Sequence, residues 1–260
     1  MTSTILVTGG TGTLGGHVVP LLRAAGHEVR VLSRRERAPE PGVEYVTGDL
    51  MKDEGVEAAV AGAATILHLA GGPKGDEVAT RSLVRAAARA GTGHLVYISV
   101  VGADRVPLAW LRMKLAAERT VADSGIPFTT LRAAQFHDLA LKMVRQMTRL
   151  PVLPSPGGLR LQPVDSAEVA ARLAELTLGT PSGPVPDMTG PRLYDLPALA
   201  RPYLHLSGRR TRPSLPVRIP GKAGRAYRAG ANLTLEGAEV GKRTWEEFLA
   251  ERLGRDDLPE

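Results

Sequence analysis

Three glycines spaced three residues apart, Gly9, Gly12 and Gly15, directly follow the apolar run Ile5-Leu6-Val7. The segment Gly9-Gly10-Thr11-Gly12-Thr13-Leu14-Gly15 lies between that strand-like run and the helical stretch Leu14 to Ala25. Its Gly-x-x-Gly-x-x-Gly spacing departs slightly from Gly-x-Gly-x-x-Gly but meets the same physical demands. The chain must turn tightly, keep side chains away from an approaching phosphate, and let helix and strand pack closely. The helix N-terminus then offers N–H donors and a favourable field to a pyrophosphate. This is the chemistry of dinucleotide binding, assigned to Gly9, Thr11, Gly12, Thr13, Leu14 and Gly15.

The end of the next strand selects the dinucleotide. A carboxylate about 20 residues after the glycines would accept hydrogen bonds from an adenosine ribose. Here the residues are Ser33-Arg34-Arg35, and no acid appears before Glu36. A guanidinium grips a 2′-phosphate through two parallel bonds, whereas a carboxylate would repel it. The expected cofactor is therefore NADP(H), with Arg34 the first phosphate ligand and Arg35 the second, and Ser33 beside them. Gly48-Asp49-Leu50 follows a third strand and places Asp49 either near the adenine amine or as a cap on the next turn. Leu69-Ala70-Gly71-Gly72 follows a fourth, with small residues where the backbone runs beside the cofactor.

The elements that must position these residues alternate. Strands are expected at Ile5–Val7, Val29–Leu32, Val43–Val46, Thr65–Leu69, Leu95–Ser99 and Phe128–Leu131. Helices are expected at Leu14–Ala25, Asp76–Ala90 and Leu108–Ser124, with glycines at their ends. Apolar strands separated by helices imply an α/β fold: a Rossmann-type, doubly wound parallel sheet covered on both faces. Pro20 falls inside the first helix, where it removes a hydrogen bond to Gly16. In the second half, Leu150–Gly158 reads as a loop, Asp165 and Glu168 as a capping pair for a helix to Leu178, and Thr244–Leu253 as a last helix. A single domain over 1–260 is expected, with about 150–260 forming a small substrate-side lobe.

Composition narrows the function classes. The chain has 260 residues, 43% of them apolar and 23% charged, enough for a full core. Aromatics at 4% tell against stacked bases or a sugar cleft, and the absence of cysteine removes disulfides, thiol catalysis and thiolate metal sites. The net charge of +6 suits a bound dinucleotide phosphate. The run Arg209-Arg210-Thr211-Arg212 reads as a solvated loop, and no nucleic-acid partner is expected. No histidine pairs at ligand spacing, so no metal is expected. Met1-Thr2-Ser3-Thr4 leads straight into the first strand, and no apolar run reaches the roughly 20 residues of a membrane helix. A cytoplasmic protein is expected, with its oligomeric state open.

The glycine loop, Val96-Tyr97-Ile98-Ser99-Val100-Val101-Gly102-Ala103-Asp104, Lys114-Leu115-Ala116-Ala117-Glu118, Leu131-Arg132-Ala133-Ala134-Gln135-Phe136 and Thr244-Trp245-Glu246-Glu247-Phe248 share one resemblance. They resemble the atypical short-chain dehydrogenase/reductase superfamily and, within it, the NmrA-like group that includes NADPH-dependent quinone reductases. The resemblance covers nearly the whole chain. It implies a cofactor at the carboxyl ends of the strands and substrate under the C-terminal lobe. It also implies that Lys114 binds the nicotinamide ribose and that Ser99 meets the substrate oxygen. The superfamily's tyrosine, four residues before the lysine, is here Trp110, whose indole cannot act as a general acid.

A quinone or enone spreads incoming negative charge over its own conjugated system, so hydride transfer does not strictly need that phenol. Gln135, His137 and Asp138 follow the sixth strand at the ligand-binding edge. His137 is read as a proton donor or simply as the first residue of a helix. Trp110, Gln135 and Phe136 are assigned to the substrate, Phe136 by packing against the lobe rather than by stacking on nicotinamide. The expected function is NADPH-dependent reduction of a small quinone-like or enone-like acceptor. The alternative is a non-catalytic NADP(H) sensor, and an epimerase or dehydratase of the extended family ranks third.

Overall fold

A computed structural model describes residues 4–72 and 75–256. In chain order the elements are β1 (Thr4–Thr8), α1 (Thr13–Ala24), β2 (Val29–Ser33), β3 (Val43–Thr47), α2 (Val56–Val60), β4 (Ala63–His68) and α3 (Asp76–Ala90). Then come β5 (His94–Val100), α4 (Ala109–Ala122), β6 (Phe128–Ala133), α5 (His137–Met147), β7 (Leu153–Pro156) and α6 (Ser166–Leu178). The chain ends with β8 (Gly183–Pro184), β9 (Met188–Thr189), α7 (Leu196–Leu206), β10 (Ser214–Val217), α8 (Gly221–Arg228), β11 (Glu239–Val240) and α9 (Trp245–Asp256). The strand and helix assignments of the first half hold to within a few residues, and α3 has the expected bounds.

The chain forms two compact units. The first holds Met1–Ser99, Ala109–Arg132 and Ala167–Val185. Its strands lie in the order β3-β2-β1-β4-β5-β6, with β8 beside β6. Ile5 pairs with Val29 on one side of β1 and Thr65 on the other, both in parallel. The order reverses at β1, the switch point of a doubly wound Rossmann-type sheet. Near-continuous apolar strands bury both faces. Leu6, Ile66, Leu83, Leu95, Tyr97 and Val121 form part of one core cluster. α1 runs through Pro20, which sits on the solvent side.

The second unit holds Val100–Leu108, Ala133–Ser166 and Pro186–Glu260. Its core gathers Leu141, Val144, Leu199, Leu204, Trp245 and Leu249. Thr244 opens α9 with a capping box: Thr244 N donates to Glu247 Oε2 at 2.8 Å and Glu247 N donates to Thr244 Oγ1 at 3.3 Å. Arg209, Arg210 and Arg212 are exposed on irregular chain, as a solvated loop requires.

One expectation needs correction. Leu150–Gly158 is not all loop, because Leu153–Pro156 forms β7, paired in parallel with β10. Its Pro-rich sequence hides this, since an edge strand of so small a sheet loses little by lacking amide donors. Ala167–Val185 belongs to the first unit. β8 is a parallel neighbour of β6, and a parallel pair needs a long crossover, which here includes α6.

Candidate cofactor and active site

Gly9 ends β1 with φ +72°, a backbone region that favours glycine. A Cβ there would lie 2.6 Å from Ala70 N, so the turn after β1 sits against the turn after β4. Gly12 N donates to Gly9 O at 3.0 Å, closing the turn, and Gly16 N donates to Gly12 O at 2.9 Å, starting α1. Gly15 is glycine for a packing reason, as its Cβ would meet the Gly10 backbone at 2.3 Å. Gly12 differs. It caps α1 in extended conformation, and a Cβ would meet only Gly9 O, at 3.3 Å.

No side chain caps α1, and its first turn has no acid. The N–H groups of Thr13, Leu14 and Gly15 precede the first intrahelical bond and point out of the helix end. Thr11, Gly12 and Thr13 are exposed, whereas the Leu14 side chain is buried in the core. An exposed, uncapped helix start with glycine at its cap fits a pyrophosphate.

At the end of β2, the Ser33 hydroxyl donates to Arg35 O at 2.8 Å and accepts from Arg35 N at 3.3 Å. The serine therefore shapes a turn, and it presents Arg34 and Arg35 exposed. Neither guanidinium has an ion pair among the described residues, so both are open to a phosphate. Asp49 Oδ1 accepts from Met51 N at 2.8 Å, the turn-capping role left open above. Leu50 is a core residue through its side chain. Leu69 and Ala70 are half-buried and Gly71 is exposed.

Lys114 lies on α4, one turn beyond Trp110, which is 38% exposed. Its Nζ is 2.9 Å from Asp76 Oδ2 and donates to Tyr97 OH at 3.4 Å. Asp76 Oδ1 accepts from Gly72 N at 2.7 Å. A Cβ on Gly71 would stand 2.9 Å from the Lys114 ammonium. Burial, then the Asp76 and Glu118 carboxylates, push the Tyr97 phenol far above its ordinary range, keeping it neutral. Ser99, at the end of β5, is 2% exposed, and its Oγ has no partner among the described residues.

Beneath this turn runs a buried polar chain. Ala70 N donates to Thr8 Oγ1 at 3.3 Å, and Thr8 Oγ1 lies 2.6 Å from His68 Nδ1. His68 Nε2 lies 3.0 Å from Thr80 Oγ1. Complete burial, then the nearby Lys114 charge, lower His68 to about 3. Unfolded, this imidazole protonates near 6.5, so in the window between those values only the unfolded chain takes up the proton. Its contribution is complete above about pH 6.5 and declines by about 1.4 kcal/mol per pH unit below. Urea unfolding at pH 7 and pH 5 is expected to lose about 2 kcal/mol more stability in the native chain than in His68→Gln. Equal losses would show that His68 does not drive the acid sensitivity.

In the second unit, Gln135 is half-buried with Oε1 unpartnered among the described residues, and half-buried Phe136 caps α5. His137 is buried. It begins α5, is 0% exposed, and holds Nε2 3.1 Å from Pro163 O. Its ring centroid lies 5.1 Å from that of Phe248 and 5.8 Å from that of Trp245. The imidazole is buried against these rings, with Nδ1 3.9 Å from Asp165 Oδ2, at the start of a helix as the second reading had it.

Sequence reasoning missed Asp76, Tyr97 and His68 as site residues. Asp76 reads locally as an acidic helix start, and Tyr97 and His68 as strand residues. Only their common approach to Lys114 and to the turn after β4 gives them a role.

Sheet, glycine loop and uncapped α1 together define a Rossmann-type dinucleotide-binding protein. The chain belongs to the NAD(P)H-binding family, whose sequence model matches residues 9–177. Among curated relatives it is 27% identical over 183 residues to photosystem II assembly factor Ycf39 of Trieres chinensis, covering 64% of this chain and 57% of that protein. It is 31% identical over 188 residues to (4-alkanoyl-5-oxo-2,5-dihydrofuran-3-yl)methyl phosphate reductase of Streptomyces griseus, covering 68% and 64%. Quinone oxidoreductase 2 of Escherichia coli K12 is 25% identical over 214 residues, covering 79% and 75%. The chain thus spans less than two thirds of the first two relatives. The solved NADPH complex of the Escherichia coli quinone oxidoreductase superposes with TM-score 0.78 at 20% identity, covering 96% of this chain and 99% of that one. That likeness shows the shared fold.

Proposed function

We propose that this protein is an NADPH-dependent oxidoreductase that passes hydride to a small quinone-like or enone-like acceptor. The observation that carries the reading is the Lys114 ammonium, held against Gly71 with two of its three hydrogens directed at Asp76 and Tyr97. Its third hydrogen is left for a ribose hydroxyl. Bound NADPH would supply the hydride. The N–H groups of Thr13, Leu14 and Gly15 hold the pyrophosphate, and Arg34 and Arg35 hold the 2′-phosphate. The unpartnered Ser99 hydroxyl orients the acceptor oxygen. Trp110 replaces the phenol that a simple ketone would need, which favours an acceptor able to stabilise its own negative charge until solvent protonates it. Two relatives, a quinone oxidoreductase and a reductase of an unsaturated oxo-furan, agree with such an acceptor.

The test follows NADPH absorbance against a panel of quinones and enones, with cofactor affinity titrated in parallel. Turnover of at least one conjugated acceptor is expected, with kcat reduced at least about tenfold in Lys114→Ala, or 1.4 kcal/mol of barrier. Trp110→Phe is expected to change acceptor KM more than kcat. The match to an assembly factor, together with Trp110, favours one second reading, a dinucleotide-binding regulator. Tight NADPH binding without turnover of any acceptor would select it.

A further inference from the structure

We propose that Asp76 is the positioning residue of this site: its carboxylate ties the Lys114 ammonium to the turn after β4, so that lysine and turn meet the cofactor as one rigid unit. This inference rests on the cofactor reading above. The two oxygens of Asp76 have different tasks. Oδ2 takes Lys114 Nζ at 2.9 Å, and Oδ1 takes Gly72 N at 2.7 Å. The carboxylate is 4% exposed and the lysine side chain 12%, so water does not substitute for either partner. A buried ion pair contributes little net stability compared with apolar residues of the same volume. Its retention here fits orientation better than stability.

Geometry makes the link specific. Gly71 lies directly on the pair, since a Cβ there would be 2.9 Å from Lys114 Nζ and 3.4 Å from Asp76 Oδ1. Whatever runs along the Gly71 backbone therefore meets the ammonium. Lysine is a point charge on a flexible four-carbon stem, and ordering it on binding costs entropy. Asp76 and Tyr97 order it beforehand, from the start of α3 and the middle of β5. Tyr97 is neutral and more distant, so the carboxylate dominates.

A double-mutant cycle on NADPH affinity tests the assignment, read by titration of the cofactor and independent of any acceptor. Asp76→Asn keeps the size of the side chain and a carbonyl for Gly72 N, and removes only the charge that holds the lysine. Asp76→Asn and Lys114→Met are each expected to weaken NADPH binding about tenfold. The double variant is expected to bind no worse than Lys114→Met alone. Melting temperatures of all four proteins report any purely structural role, which would lower stability without this coupling in affinity. Should Asp76→Asn fail to fold, Lys114→Met and the double variant still decide, because the double variant leaves no buried unpaired cation. A further tenfold loss from Lys114→Met to the double variant would overturn the proposal, as would native affinity in Asp76→Asn. A native protein that binds no NADPH would overturn the cofactor reading itself, whereas these outcomes in a binding-competent native protein concern Asp76 alone.

Discussion

Gly12→Val is expected to weaken NADPH binding by on the order of a hundredfold, about 2.7 kcal/mol, while the protein remains folded. The two halves of that expectation have separate causes. The backbone at Gly12 is extended, a conformation open to any residue, and a Cβ would meet only Gly9 O at 3.3 Å. Valine at a helix cap costs about 1 kcal/mol or less relative to glycine. For a chain of this size the melting temperature should fall by no more than about 4 °C. The branched side chain instead occupies the approach of the pyrophosphate to the first turn of α1. Gly15→Ala provides the contrast, because its Cβ would collide with the Gly10 backbone at 2.3 Å. That variant should lose stability and affinity together. Cofactor titration and thermal unfolding of both variants check the pair, and native affinity in Gly12→Val would refute the assignment of the loop.

NADP(H) is expected to bind at least about tenfold more tightly than NAD(H), a difference of about 1.4 kcal/mol, and Arg34→Asp to remove that preference. Arg34 and Arg35 stand exposed after the Ser33 turn, with no carboxylate partner among the described residues to compete with a phosphate. An aspartate at this place repels the 2′-phosphate and accepts from a ribose hydroxyl, so NADPH should lose affinity while NADH gains it. Calorimetry with both reduced cofactors measures the ratio. Equal affinities in the native protein would show that neither guanidinium reads the 2′-phosphate.

The features legible in the sequence were those governed by short-range physics. The positive φ of Gly9, the close packing of Gly15 and the uncapped start of α1 are consequences of a few consecutive residues. Apolar runs alternating with helical stretches marked β1 to β6 and placed α3 from Asp76 to Ala90, since burial on both faces leaves an unbroken apolar strand. Local pattern gave no sign of α2, which is five residues long, or of β7, whose prolines read as loop. The helices α7 and α8 were also missed in a region where prolines interrupt the periodicity, and of α5 only a start at His137 was read.

Sequence by itself thus determined that this chain binds a dinucleotide in a Rossmann-type fold, and that Trp110, whose indole cannot act as a general acid, stands four residues before Lys114. Tertiary structure decided which polar side chains stand together. It buried His137 among Phe248 and Trp245, put Leu14 and Leu50 into the core, and gathered Asp76, Tyr97 and Lys114 from α3, β5 and α4. The physical reason is that a glycine's role follows from its own backbone and near neighbours, whereas a charged or titratable group takes its role from its solvation and partners. Those depend on where distant segments meet, and no local spacing encodes that meeting.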